Sequence, residues 1–409
     1  MGNYTIIQKN ARILSNWNLE PQESDSLWTK DVEIAGDPLP GGSFGPCGIP
    51  KGAEILEVTR IQLADGVYLT YLPARKFKTS LLSAQFVTPL QEETASAWAL
   101  LPAVLRRGTV SAPDMGQLSA RLDRLYGARI DYTVRKKGEN QCIGFVASLI
   151  DDSFAPGGEH LLEPVTELLG ELICDPVTER GRFVPAYFDS EKTNLLDAIR
   201  SLINDKRDYA DSRLLQEMCA GEPYGISRLG SEATAEKLQL HKLYALYGQL
   251  IASARLELFY SGSAELERVE QAMRSAFATL PRENVGEIIL AKPHPAREEV
   301  HRVEESMDVT QGKLGMGFSC GSDDTAALLM GNTLFGGSSN SRLFLNVREK
   351  LSLCYYASSV YHRQKGIITM SSGIEFDNFQ KAYDEILTQL GEVQAGALED
   401  WELEGARST

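Results

Sequence analysis

The sequence is short of the features that mark secreted, membrane-spanning and disulfide-bonded proteins. Its six cysteines are scattered and include no Cys-x-x-Cys pair, which favours reduced core thiols in a cytoplasm. Residues 1–17 lack a basic start followed by an apolar stretch, so no signal peptide is predicted. The longest apolar run, residues 97–105, contains Pro102 and is too short to cross a bilayer. We therefore expect a soluble, cytoplasmic protein.

Positive charge and histidine are also scarce. The 41 basic residues are outnumbered by 56 acidic residues, giving a net charge of −15. This balance argues against a nucleic acid or an anionic membrane as partner. The five histidines are not clustered, so the commonest metal ligand is in short supply. The weak glycine pattern at residues 315–317 lies in a strand-like stretch and is not a nucleotide fingerprint. The sequence thus predicts no metal and no cofactor.

The chain contains the same succession of elements twice. Two strand patterns lead to a buried helix around Ala99, a second helix, a strand pair that turns at residues 136–140, and a third helix. The order returns about 220 residues later, with the equivalent turn at residues 363–366. Each ββααββα unit predicts an antiparallel-rich sheet with helices on one face. The predicted fold is α+β, with two tandem related domains forming a clamshell.

The repeat also predicts the domain boundaries. Residues 1–50 lack steady periodicity and are interpreted as an N-terminal extension that wraps a domain. The first domain is predicted at 51–235 and the second at 236–409, with the second C-terminally incomplete because its last long helix stops short. Leu256–Tyr260 is expected to open the second domain, after a linker within residues 221–252.

Two sequence stretches carry a resemblance to a known family. A helical segment beginning at Glu92 ends in a basic residue followed by Gly108-Thr109, and a Gly-Gly-Ser-Ser turn opens the stretch Phe335–Lys350. With the repeat, these stretches resemble the pitrilysin/insulinase-like metallopeptidases over residues 60–407. The runs Lys76–Thr79 and Leu122–Ala128 are similar to a non-catalytic bacterial branch of that family, whose name associates it with the aminopentanol modification of elongation factor P.

The resemblance implies which residues an active member would use. Two histidines and a glutamate base occupy a His-x-x-Glu-His motif, and a glutamate on a later helix completes the zinc site. The matching positions here are Ala99, Pro102 and Ala103, and then Ala198, seven residues after Glu191. Alanine cannot bind zinc, and proline cannot accept a proton. We therefore expect a catalytically inactive homologue without a metal.

The second domain keeps two residues that the resemblance associates with substrate. Active members share an arginine seven residues before a tyrosine, which together hold the substrate backbone, and Arg348 and Tyr355 have this spacing. They are the predicted substrate- or partner-binding residues. The alternative is an arginine favoured by the dipole at a helix end and an ordinary strand tyrosine.

The loss of ligands within a kept fold predicts a binding role. By analogy with the family's two-subunit members, we expect a non-catalytic subunit that binds a peptide or protein and forms a heterodimer with a zinc-bearing homologue. An extended peptide would bind by pairing with an edge strand. The alternative is a homodimeric protein-binding scaffold with no proteolytic role.

A third hypothesis is a serine hydrolase. Residues 317–321 match the G-x-S-x-G pattern, with Ser319 as nucleophile, Asp323 or Asp324 as acid and His362 as base. The antiparallel repeat argues against this hypothesis, because that motif belongs to a doubly wound parallel sheet.

Overall fold

The computed structural model describes residues 2–8, 58–297 and 299–409, with only the backbone described for residues 2–8. Its strands are β1 (Gly2–Gln8), β2 (Thr59–Ala64), β3 (Val67–Pro73), β4 (Thr79–Pro89), β5 (Arg129–Lys137), β6 (Asn140–Ile150), β7 (Thr178–Glu179), β8 (Arg182–Phe183), β9 (Arg255–Gly262), β10 (His301–Met307), β11 (Gly312–Ser319), β12 (Cys354–His362) and β13 (Ile367–Ile374). Its α-helices are α1 (Glu92–Leu105), α2 (Met115–Arg124), α3 (Leu162–Cys174), α4 (Pro185–Ser201), α5 (Lys206–Met218), α6 (Glu232–Glu236), α7 (Leu240–Ser253), α8 (Leu266–Ala276), α9 (Thr325–Asn332), α10 (Phe379–Gln394) and α11 (Asp400–Ser408). Thr333–Gly337 and Leu343–Lys350 are π-helical.

The first sheet has the strand order β2-β3-β9-β4-β6-β5. Apolar residues alternate along β4, so that Leu82, Ala84 and Phe86 are buried on one face. They form a single core with apolar residues of α1, α3, α7 and α8. Because successive strand side chains point to opposite faces, this alternation explains why the helices gather on one side of the sheet.

The second sheet has the order β10-β1-β11-β13-β12 and helices on both faces. Leu314, Met316 and Phe318 of β11 face a core with α9, α10 and the π-helical segments. On the other face α5 packs against β11, where a Cβ on Gly317 would lie 2.5 Å from the sulfur of Met218. The glycine pattern at residues 315–317 therefore makes room for a helix.

Each sheet contains a strand from a distant part of the chain. Strand β9 lies between β3, to which it is parallel, and β4, to which it is antiparallel. Likewise β1 lies between β10 and β11 and is parallel to β11. The expectation that Leu256–Tyr260 opens the second domain is therefore wrong: the buried side chains of β9 belong to the first core. Helix α7 and strand β9 both follow the predicted boundary at residue 236, yet both pack in that core.

The predicted fold class is confirmed: the chain has two tandem, related α+β domains with antiparallel-rich sheets. The turns at residues 136–140 and 363–366 form the β5–β6 and β12–β13 hairpins. In the second repeat, the helix equivalent to α1 is short, because α9 ends at Asn332 and continues as a π-helical turn. The proposed wrapping by residues 1–50 lies largely outside the described residues.

Two helix glycines offer a matched test of the packing between α3 and α8. A Cβ on Gly170 would lie 2.3 Å from the carbonyl oxygen of Ala276, whereas a Cβ on Gly391 of α10 meets nothing within 4 Å. We expect Gly170→Ala to lower the free energy of unfolding by about 1–3 kcal/mol, because α8 must move away. Gly391→Ala should raise it by about 0.5–1 kcal/mol through helix propensity. Urea unfolding measures both; equal effects would contradict the close approach.

Candidate functional site

The three predicted ligand positions lie at one cavity. Ala99 and Ala103 are one helical turn apart on α1, and Ala198 lies near the end of α4, which packs against α1. All three alanines line a cavity of about 380 Å³. Pro102 is buried elsewhere on α1, and the helix continues through it to Leu105. The positions that match an active member's zinc ligands therefore converge, although none of them can bind a metal.

The rest of this cavity is lined by apolar side chains and by four polar ones, those of Tyr132, Glu191, Asn194 and Arg228. Glu191 is the only carboxylate among the lining residues. One of its oxygens accepts a hydrogen bond from Arg107 at 2.8 Å, and the other accepts one from Asn194 at 3.0 Å. Edge strand β5 contributes Tyr132, which is 47% exposed. The carboxylate is thus already neutralised by a fixed cation, and the cavity opens beside a strand.

These residues do not fit a zinc ion. A catalytic zinc site needs three protein ligands and an open position for water. The cavity supplies one carboxylate, and Arg107 pairs with it. At the position of the general base stands Pro102, whose side chain cannot accept a proton. Metal-assisted hydrolysis cannot be derived from this arrangement.

Arg348 and Tyr355 line a second pocket, of about 410 Å³. Arg348 lies on the π-helical segment, with its guanidinium 4.7 Å from the centre of the Phe344 ring. Tyr355 is 59% exposed near the start of β12 and donates a hydrogen bond of 3.0 Å to Glu375. This bond holds the pKa of the phenol above its ordinary value. The predicted pair thus forms one accessible site that offers a cation and a hydroxyl.

The serine-hydrolase hypothesis is wrong. Ser319 on β11 and His362 on β12 both pair with Ile367, on opposite sides of β13. Their backbones are therefore separated by two strand spacings, about 10 Å. The ring nitrogens of His362 are bonded to the Tyr224 hydroxyl at 3.0 Å and the Thr369 hydroxyl at 2.9 Å. His362 therefore cannot serve as the base for Ser319.

The structure contains a buried charged cluster that the sequence does not predict. Lys365, which is 1% exposed, lies at the β12–β13 turn and donates to Glu139 at 2.6 Å. It also pairs with Glu222, which bonds the ring of His294 at 2.6 Å. A lysine and a glutamate in polar turns normally indicate solvent exposure. No local sequence signal identifies this cluster.

One part of the cluster has the composition of a metal site. Ligand atoms of Cys219, Glu222 and His294 lie within 4.8 Å of one another. Burial, however, raises the pKa of the Cys219 thiol to about 12, so it stays protonated at neutral pH. The Glu222 carboxylate is already paired with Lys365. The ammonium group is the cation that this arrangement accommodates.

Two related α+β domains, one of which has a helix site without ligands, define an inactive metallopeptidase-like protein. A family profile described as "Peptidase M16 inactive domain" matches residues 237–409. A protein of Bacillus subtilis (strain 168) named "Probable inactive metalloprotease YmfF" is 35% identical over 337 residues, covering 81% of this chain and 78% of that protein. This chain belongs to the pitrilysin-like M16 metallopeptidase family, as one of its non-catalytic members.

Solved structures share the fold. A conserved protein from Enterococcus faecalis V583 is 27% identical with a TM-score of 0.75, and the match covers 86% of this chain and 83% of that one. A peptidase M16 inactive domain from Pseudomonas fluorescens is 18% identical with a TM-score of 0.69 over the same shares. Across the described residues, no helix combines the length and apolar character needed to cross a membrane.

Restoring the ligands tests whether the three alanine positions converge. We expect the variant Ala99→His/Ala103→His/Ala198→Glu to bind stoichiometric zinc, because its three side chains enter one cavity. Zinc content after dialysis is measured by mass spectrometry. A variant with Ala97→His in place of Ala99→His keeps the residue types but places one histidine outside the lining, and should stay zinc-free. Equal zinc in both variants, or none in either, would contradict the geometry.

Histidine 362 should make the protein less stable in acid. Burial, and then the nearby charge of Lys136, lower its pKa from 6.5 to about 4. Between these values the unfolded state binds more protons, so the free energy of unfolding falls as pH drops from about 6.5 to 4, by about 3 kcal/mol in all. His362→Gln should remove this component. Urea unfolding at both pH values, with exposed His241→Gln as control, measures the difference; equal acid sensitivity of both variants would contradict it.

Proposed function

We propose that this inactive family member is the non-catalytic, peptide- or partner-binding subunit of a cytoplasmic heterodimer with a zinc-bearing homologue. The observation that carries the proposal is the open cavity at Ala99, Ala103 and Ala198. Replacing ligands by alanine has left accessible space beside an edge strand. A second accessible pocket surrounds Arg348 and Tyr355. Together they support binding without cleavage.

An extended polypeptide suits the first site. Strand β5 is the terminal strand of the first sheet, and an added strand can pair with it by displacing the Arg106 and Arg228 side chains that bond the carbonyl oxygens of Ile130 and Val134. Tyr132 and Val134 of this strand and Leu195 of α4 line the cavity. A bound peptide can hydrogen-bond along β5 and place an apolar side chain in the cavity. The net charge of −15 favours ligands with basic residues over acidic ones.

The second pocket supplies polar contacts. A guanidinium donates paired hydrogen bonds to carbonyl or carboxylate oxygens, and the side chain of Arg348 is 40% exposed. The Tyr355 hydroxyl is already oriented by Glu375. These groups can hold the backbone or terminal carboxylate of the same ligand.

A homodimeric scaffold is the alternative, and strand β12 favours it. This strand ends the second sheet and carries Tyr355 and Val360, 59% and 55% exposed. A long exposed edge strand can pair with its counterpart in a second copy. In that case a twofold-symmetric dimer would form without any zinc-bearing chain.

Mixing the chain with zinc-bearing homologues distinguishes the proposed heterodimer from the homodimeric scaffold. The purified chain is analysed by size exclusion with light scattering, alone and with each zinc-bearing homologue of its source, and cleavage of a fluorogenic peptide library is followed. We expect a one-to-one complex, with cleavage appearing or rising sharply in the mixture. A stable homodimer that forms no complex and changes no peptidase activity would establish the scaffold instead.

Arg348→Ala should weaken binding of peptides selected from the library by about tenfold, the loss of one well-placed charged contact. Lys350→Ala is the matched control, because Lys350 lies on the same π-helical segment but outside the pocket lining. Fluorescence anisotropy with labelled peptides measures both affinities. A similar loss in both variants would mean that general charge, and not the pocket, holds the peptide.

A further inference from the structure

The equivalent turns of the two repeats meet in the interior. Gly138 in the β5–β6 turn and Gly366 in the β12–β13 turn have left-handed φ angles of +59° and +61°. Lys365, next to Gly366, reaches across to Glu139, with 2.6 Å between ammonium and carboxylate. A Cβ on Gly138 would lie 3.2 Å from the Gln364 amide oxygen. The two domains therefore contact each other through the same structural feature, turn against turn.

The chain that follows α5 bonds to both turns. Glu222 pairs with Lys365 of the second domain and with His294 of the connection between the sheets. Tyr224 bonds His362 through its hydroxyl, and its carbonyl oxygen accepts a hydrogen bond of 2.8 Å from Lys136 of the first domain. Three separate parts of the molecule thus converge on one point.

Moving one turn away from the other would be costly. Lys365 is 1% exposed and Glu139 is 7% exposed, and a buried charge that loses its partner is strongly destabilising. Met218, Tyr224 and Ile367 form a small apolar cluster beside the charges. A rotation of the domains that separated the turns would leave an ammonium and a carboxylate uncompensated. One relative orientation of the domains satisfies all of these groups.

We propose that the Lys365–Glu139–Glu222 cluster is a rigid joint that holds the two domains at one fixed orientation. The protein then presents its two pockets at a constant separation and does not close around a ligand. The joint is supported by the buried contacts alone. Only the conclusion that the protein does not close around a ligand rests on the proposed function.

Distances between nitroxide labels test the joint without any ligand. Labels are attached through p-acetylphenylalanine at Val110 in the first domain and Leu329 in the second, which are 71% and 58% exposed. Pulsed electron paramagnetic resonance should give one narrow distance population. Glu139→Gln/Glu222→Gln/Lys365→Met removes the cluster without leaving an unpaired charge, and should give a broad or second population. Glu265→Gln, which breaks the exposed Arg75 pair, should stay narrow.

Each outcome bears on the joint. A broad distribution in the parent protein, or a narrow one in the folded triple variant, would overturn it. If circular dichroism shows that the triple variant does not fold, the distances are measured in Glu139→Gln instead. This variant removes the carboxylate charge of the turn-to-turn contact and leaves Glu222 paired with Lys365. This single variant should broaden the distribution; an unchanged narrow peak would overturn the joint. Failure of the partner experiment would leave these distances unaffected, so the two proposals fail separately.

Discussion

Strand β9 is the constraint on which the first sheet and the position of the domain boundary depend. It hydrogen-bonds to β3 on one side and to β4 on the other, so the first sheet is continuous only when β9 is present. Strands β3 and β4 follow each other in the chain but are not neighbours in the sheet. Division at residue 236 would remove the strand between them and the buried residues of α7. The first domain therefore extends beyond the predicted boundary and includes α7 and β9, although the sequence repeats.

This constraint also explains the long crossings between the domains. The chain leaves the first core through α4, covers the second sheet with α5, and returns with α6 and α7 before β9 enters the first sheet. Arg213 of α5 pairs with Glu305 of β10 at 2.6 Å, and Arg207 lies 4.3 Å from the ring centre of Tyr356. Helix α5 therefore lies within the predicted first domain in sequence but packs against the second sheet. The joint around Lys365 lies where the chain turns from α5 back toward the first domain.

The sequence predicted the features that depend on local periodicity. Strands, helices and the two equivalent turns follow from alternation and glycine position, and Ala99 and Ala103 lie on one helix face because they are four residues apart. The sheet position of β9 cannot be read from local sequence, because its partners β3 and β4 are more than 160 residues away in the chain. The Lys365–Glu139 pair joins residues 226 positions apart, and a lysine beside a turn glycine looks exposed in any sequence. The convergence of Ala198 with α1 came from family resemblance, since nothing in the spacing brings α4 against that helix.

Fixed cations neutralise the carboxylates at the cavity and at the joint. Arg107 neutralises Glu191 at the cavity, and Lys365 neutralises Glu139 and Glu222 at the joint. A bound metal ion stabilises a fold by an amount that depends on its free concentration and affinity, whereas a side-chain cation is always present. Both sites therefore keep their geometry whatever the supply of zinc. In this non-catalytic family member, the stability of the two sites is thus independent of a bound metal.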